Sequence, residues 1–383
     1  MERRTFLKIL SSAGIVSLVS PTFAMEVCKN KVSKSSSALL ESAFRNPPFS
    51  SGVYTWWHWM NGNITKDGIT RDLEAMKANG IAGYQLFEAG SGIPIGPVES
   101  LSDEWVDLIL HTLKESERLG LEFAMHNCPG WSSSGGPWIT PDKAMQIITW
   151  SETKITGGKQ VRIQLPTPKH MFDYYIDTYC LAIPANMKVI PRLSILELSN
   201  RLDKDGVLTW DVPTGEWLIM RFGQTAKDQK NKSAPSKSTG LDCDKFSTEA
   251  LDYHLNCMFK RLMPAMEKIA KHSKIGLLID SYETGDQDWT SDMPAYFEQS
   301  HGYELYPFLP VLANKIVESE ESTKRFLFDF RRVRADMFAE RYYGHFQKRC
   351  KEKGIITYTE PYGGNMMEEL QVAQQLDINM GEF

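Results

Sequence analysis

The feature that most limits what this chain can become is a strand–helix rhythm in which a glycine stops each helix just before an apolar run. "GVYTWWHW" (52–59) reads as a strand. "TKDGITRDLEAMKANG" (65–80) reads as a helix, with Thr65 as N-cap and Gly80 as its stop. "IAGYQLFEAG" (81–90) is the next strand. "SDEWVDLILHTLKESERLG" (102–120) is a helix capped by Ser102, with its apolar period near ~3.6 residues and its end at Gly120. "LEFAMHNCPG" (121–130) is a third strand. Such alternation predicts parallel βα units.

The rhythm then breaks. Over 146–225 the runs "KQVRIQLP", "YYIDTYCLAIP" and "VLTWDVPTGEWLIMRFGQT" are short, alternating and punctuated by Pro, Gly and Asp. They predict an inserted antiparallel β module. "TAKDQKNKSAPSKSTG" (225–240) reads as a polar loop. Helix returns over 247–271, and "IGLLID" (275–280) is a strand. A long helical stretch over 320–353 ends at Gly354, and "IITYTEPYGG" (355–364) contains another strand. The six strands expected at 53–57, 82–87, 121–126, 275–280, 355–360 and 376–381 suit an incomplete (β/α)8 barrel within 51–383, since closure takes eight. A doubly wound sheet is the alternative. Against it, no G-x-G-x-x-G follows the first strand and no phosphate-binding G-x-x-x-x-G-K-[ST] occurs.

At 383 residues and 42% apolar, the chain has ample material for such a core. Its net charge of −5 and lack of a basic stripe exclude a nucleic-acid footprint. "MERRTFLKILSSAGIVSLVSPTFA" reads as an export signal over 1–24, with the Arg3–Arg4 pair giving it a twin-arginine character and a periplasmic destination. Residues 25–50 read as a linker, and no later stretch is apolar and long enough to span a membrane. The six cysteines form no C-x-x-C pair, which argues against a zinc ribbon or a thioredoxin motif.

In a parallel βα barrel, chemistry gathers at the C-terminal ends of the strands. Here those ends are polar: Trp57, His58 and Asn61 on the first, Glu88 on the second, His126 and Asn127 on the third. The fourth carries Asp280, Tyr282 and Glu283, the fifth Glu360, the sixth Glu382. A single strand-end acid is also what a helix cap or a surface position uses. Several at corresponding ends are harder to explain by packing. Paired carboxylates suit glycosidic cleavage, one protonating the leaving oxygen and the other attacking or activating water. Aromatic neighbours offer flat faces to a sugar, and the histidines offer hydrogen bonds to its hydroxyls. The same oxygens suit a hard cation such as calcium. "GWSSSGGPW" (130–138) lacks the second glycine of a G-x-S-x-G nucleophile elbow and reads as a tight loop beside the site.

"WWHWMNGNITKDGITRDLEAMKANGIAG", "MHNCPGWSSSGGPWITPDKAMQ", "IDSYETGDQDWT", "GYELYPFLPVL" and "INMGEF", in this order from about residue 45 onward, resemble glycoside hydrolase family 106, the bacterial α-L-rhamnosidases. The resemblance implies an inverting, exo-acting enzyme with a (β/α)8 domain, active-site calcium and accessory β domains. It implies substrates with terminal L-rhamnose, such as plant pectic glycans. By motif, Glu283 resembles the general acid, Glu382 the general base, and Glu360 a carboxylate that helps hold calcium. Trp57, His58, Asn61, Glu88, His126, Asn127, Asp280 and Tyr282 are the expected sugar contacts, with Asp280 orienting its neighbours. An apolar flank and a neighbouring carboxylate are expected to raise the pKa of Glu283.

The family's members are longer. The expectation is therefore a truncated member, ending at Phe383 short of the last two strands, weakly stable and of low activity unless a partner chain completes it. A protein that only binds carbohydrate is the alternative.

Overall fold

The computed structural model describes residues 34–131, 134–364 and 366–381. The expected signal at 1–24 and the expected base Glu382 lie outside them. The chain divides into two units, one ending at Val53 and one running from Tyr54. In the first, α1 (Lys34–Arg45) occupies part of the span read as a linker, and Arg45 pairs with Glu41 one turn back at 2.9 Å.

The second unit opens with β1 (Tyr54–Met60), α2 (Lys66–Ala78), β2 (Gly83–Ala89), α3 (Asp103–Leu119) and β3 (Glu122–His126). Thr65 and Ser102 cap the two helices by accepting from Gly68 N and Trp105 N, which satisfies amides the first turn leaves open. Gly120 ends α3 at φ 66°, a left-handed conformation that costs glycine nothing. The insert follows: β4 (Gln146–Thr156), β5 (Lys159–Gln164), β6 (Ile176–Pro184), β7 (Val207–Val212) and β8 (Glu216–Ala226). β8 pairs antiparallel with both β4 and β6, and β5 pairs with β7. Their facing sides bury Ile155, Leu165, Leu208, Trp210 and Ile219 in a separate core.

The expected helix over 247–271 is two, α4 (Thr248–Phe259) and α5 (Met263–Ala270), because Pro264 starts the second. After β9 (Ile275–Ile279) come α6 (Met293–His301) and α7 (Glu320–Met337). The long helical stretch passes through a π-helical segment, Phe338–Gly344, before α8 (His345–Lys351). That wider turn buries Phe338, Tyr342 and Tyr343 together. β10 (Ile356–Thr359) and β11 (Ile378–Asn379) complete the strands.

β1, β2, β3, β9, β10 and β11 form one parallel sheet in chain order. This order differs from a doubly wound sheet, where the sequence of strands reverses. Both ends of the sheet are open among the described residues. The sheet curls enough for the Gln85 amide on β2 to reach Met380 Sδ at 2.8 Å, just past β11.

Strand residues alternate between the faces. The register sets His58 beside Phe87, Leu278 beside both His126 and Tyr358, and Tyr358 beside Ile378. These rows make the concave face, and Phe87, Ala124, Leu278 and Tyr358 form its own apolar cluster. The other phase faces the helices. Trp57 lies there, its indole donating to Asp72 of α2 at 3.1 Å. Glu88 pairs with Trp59 in the same phase and accepts from Ser100 Oγ at 2.8 Å, with the Trp105 indole beside it. Both were expected at the sugar site, and the two-residue alternation turns both away from it.

Burial pushes the Glu88 carboxyl up to about 7, against a smaller opposing pull from Ser100. A carboxyl that binds its proton more tightly when folded stabilises the fold below its unfolded value near 4.5 and loses that stabilisation as pH rises through the folded value. Across pH 4 to 8 the wild type should therefore lose about 3 kcal/mol relative to Glu88→Gln in paired urea titrations. Parallel pH profiles for the two proteins would refute the assignment.

Candidate active site

Two residues beyond the Leu278–Tyr358 pair, the same phase brings Asp280 and Glu360 together on the concave face. Both are almost fully buried. Their carboxyls are hydrogen-bonded to each other, and Tyr362 Oη donates to Glu360 Oε2 at 2.6 Å. Burial first, and then the charge and hydrogen bond of Glu360, push Asp280 up to about 8. Asp280 thus holds the shared proton near neutrality, since two buried carboxylates in contact repel when both are ionised.

His126 fills the next place on this face, its ring 3.6 Å from the Phe87 ring, centre to centre. Burial and the neighbouring His58 hold it down at about 3, so it is a neutral imidazole. Its Nε2 lies 3.9 Å from Asp280 Oδ2 without a hydrogen bond. His58 sits at the open edge of the face, and partial burial lowers its pKa as well.

Glu283 stands above this layer on the loop that follows β9, and it is exposed. Burial and a neighbouring carboxylate raise Asp280, three residues earlier. The Trp131 indole donates to Glu283 Oε2 at 3.4 Å, and Ser281 Oγ donates to Oε1 at 3.3 Å. Sequence reasoning read Trp131 only as part of a tight loop. A lone aromatic between glycines and serines carries no periodic signal.

The loop bearing Glu283 is held largely by the inserted module. Gly285 N donates to Gln229 Oε1 at 3.3 Å, and Lys227 Nζ donates to Asp286 O at 2.5 Å, both lysine and glutamine following directly on β8. Ile148 N of β4 donates to Asp288 Oδ1 at 2.9 Å, and Trp289 N to Gln146 O at 3.3 Å. Arg334 of α7 grips Gln287 O at 2.9 Å from the other side.

Three more of the expected contacts serve this scaffold. Tyr282 is buried against Phe338 and donates to Gly285 O at 2.9 Å, so it braces the loop and offers no face to a sugar. The Asn61 amide donates to Ile93 O at 2.7 Å, closing the turn after β1. Asn127 is buried, donating to Leu278 O at 2.9 Å and accepting from Ser134 Oγ at 2.5 Å. Behind it the Lys245 ammonium, fully buried, meets Asp242 Oδ1 at 3.2 Å and Cys243 O at 2.9 Å.

Asp280 Oδ1 is a buried oxygen without a hydrogen-bond partner, and with Glu360 it could begin a set of hard donors. Calcium takes six to eight oxygens. Among the described residues no three His, Cys, Asp or Glu side chains are arranged to hold a metal ion. No step below is routed through a metal.

Against known proteins, the family model described as alpha-L-rhamnosidase, glycoside hydrolase family 106, matches residues 45–178 and 169–383. A Formosa agariphila protein, provisionally named a beta-glucuronidase, is 41% identical over 375 positions, covering 90% of this chain and 32% of its own length. The solved rhamnosidase from Novosphingobium sp. PP1Y superposes with a TM-score of 0.80 at 24% identity, over 88% of this chain and 49% of that one. The chain thus spans about a third of the first relative and about half of the second. The structural likeness speaks for the fold, while the family model accounts for nearly everything after the first 44 residues. On that match, the chain belongs to glycoside hydrolase family 106.

Proposed function

We propose that this chain is the catalytic portion of an exported, periplasmic α-L-rhamnosidase that removes terminal rhamnose from plant-type glycans. In this reading the curled sheet is the wall of a (β/α)8 barrel. The observation that carries it is the acid on a braced loop above a buried pair of carboxyls. Glu283 is exposed where a leaving oxygen would arrive, and its two oxygens are oriented by Trp131 and Ser281. It serves as the general acid, giving its proton to that oxygen as the glycosidic bond breaks. Below it, the Asp280 carboxyl, held protonated by burial and by Glu360, forms with Glu360 a polar floor beneath the sugar. Glu382 remains the proposed base that activates water from the opposite side of the ring. Inversion follows from that division of roles.

The charge of the floor favours rhamnose over a uronate. The Asp280 carboxyl and the His126 and His58 imidazoles gathered there have their charged forms disfavoured. A substrate carboxylate at the same place would find no countering cation among these groups. A deoxy sugar brings a methyl group and neutral hydroxyls.

Hydrolysis of an aryl α-L-rhamnoside beside an aryl β-D-glucuronide tests the substrate, and turnover of the glucuronide alone would overturn it. NMR of the first product should show β-L-rhamnose, the inverted anomer. Glu283→Gln should lower kcat on the rhamnoside by at least about 100-fold while sugar binding persists. A variant that turns over normally would remove Glu283 from the mechanism. Gln229→Ala, which releases Gly285 N, should cost about tenfold in kcat with KM nearly constant and the melting temperature little changed. A loss in KM alone would show that the module does not position the acid.

A further inference from the structure

We propose that the strap between β8 and residue 241 forms a site for an anionic saccharide, a uronate or a sulfate ester, on the leaving-group side of Glu283, with Lys232 as its main contact. The proposal rests on the glycosidase reading above and names the class of the leaving sugar.

In a chain of net charge −5, this strap carries Lys227, Lys230, Lys232 and Lys237 within eleven residues. It is fixed to the site by backbone. Lys232 and Trp131 form an antiparallel bridge, with Trp131 N donating to Lys232 O at 3.1 Å. Gly90 N donates to Ser233 O at 2.6 Å, and Lys230 bridges Leu241. Gly130 has φ +77°, and a Cβ there would stand 2.0 Å from Lys232 O, so only glycine lets the strap lie this close.

The bridge decides where Lys232 points. Asn231 turns inward, buried, donating to Pro129 O at 2.9 Å and Ser238 O at 3.2 Å. In an extended run its neighbours face the other way, and Lys230 and Lys232 are both exposed. Residues opposite each other in an antiparallel bridge project to one side, with Cβ atoms about 5 Å apart. Lys232 therefore stands beside Trp131, the residue whose indole reaches Glu283. No carboxylate lies within ion-pair distance of Lys232 among the described residues, whereas Lys230 has Asp228 at the 3.9 Å limit.

The general acid contacts the leaving oxygen, so the sugar carrying that oxygen extends over the neighbours of Glu283. There it meets a flat indole and an uncommitted ammonium. The glycosyl side of the same cleft is lined by carboxyls. The two sides thus select sugars of different charge: neutral where the bond is cut, anionic where the leaving sugar rests.

The test uses calorimetry on the Glu283→Gln protein with three α-L-rhamnosyl disaccharides that differ only in the leaving sugar: glucose, glucuronic acid and a glucose sulfate ester. At low salt an anionic disaccharide should bind at least about threefold more tightly than the neutral one. The arm that shows the preference identifies carboxylate or sulfate. The preference should vanish in high salt and on adding Lys232→Gln, and persist with Lys232→Arg or with Lys159→Gln on the far module. Equal affinities for all three, or equal weakening of all three by Lys232→Gln, would overturn the proposal and leave the rhamnosidase reading intact. Failure of every disaccharide to bind would overturn both.

Discussion

Pairing of β9 with β10 places Leu278 opposite Tyr358, and that register carries Asp280 and Glu360 side by side two residues later. A slip by one residue would send one acid into the helix layer and break the pair. The hydrogen bond between the two buried acids would then be lost. The concave cluster of Phe87, Ala124, Leu278 and Tyr358 fixes the register from below. Apolar packing thus sets the position of the polar layer, and the polar layer sets the floor beneath Glu283.

The elements were legible in the sequence because their ends are punctuated. Thr65 and Ser102 cap where a side-chain oxygen precedes an apolar period, and Gly120 stops a helix by adopting positive φ. All six strands occur where the apolar runs place them. The facing of the strands was not legible. A parallel strand covered on both sides is buried throughout, and in "GYQLFEA" the polar Gln85 and Glu88 fall in opposite phases, so no alternation shows its facing. Glu88 and Trp57 looked like site residues for that reason, and the register turns them toward α3 and α2. Tyr282 reads as a sugar contact beside the acid Glu283, yet the chain leaves the strand there and Tyr282 is buried while Glu283 is exposed.

Contacts between distant residues were also invisible. Trp131 meets Glu283 across 152 positions, and nothing local marks either as the other's partner. Lys245 has the composition of a surface residue. Its ammonium is instead buried against Asp242 and over the Tyr342 ring, which the π-helical turn brings inward. A buried charge of this kind is retained only where its partner and carbonyl acceptors are already fixed. It therefore marks the segment behind Asn127 as a rigid backing to the site.

The grip of the inserted module on the loop after β9 bears on how such a protein can change over time. Gln146, Ile148, Lys227 and Gln229 all belong to or border the module, and all hold the segment that carries Glu283. Insertions in βα proteins are commonly interchangeable ornaments, replaced without harm to the scaffold. This one shares its hydrogen bonds with the loop of the proposed acid. A recombination event that imported a foreign module would have to import residues 283–290 with it, so the two segments are expected to be inherited as one piece.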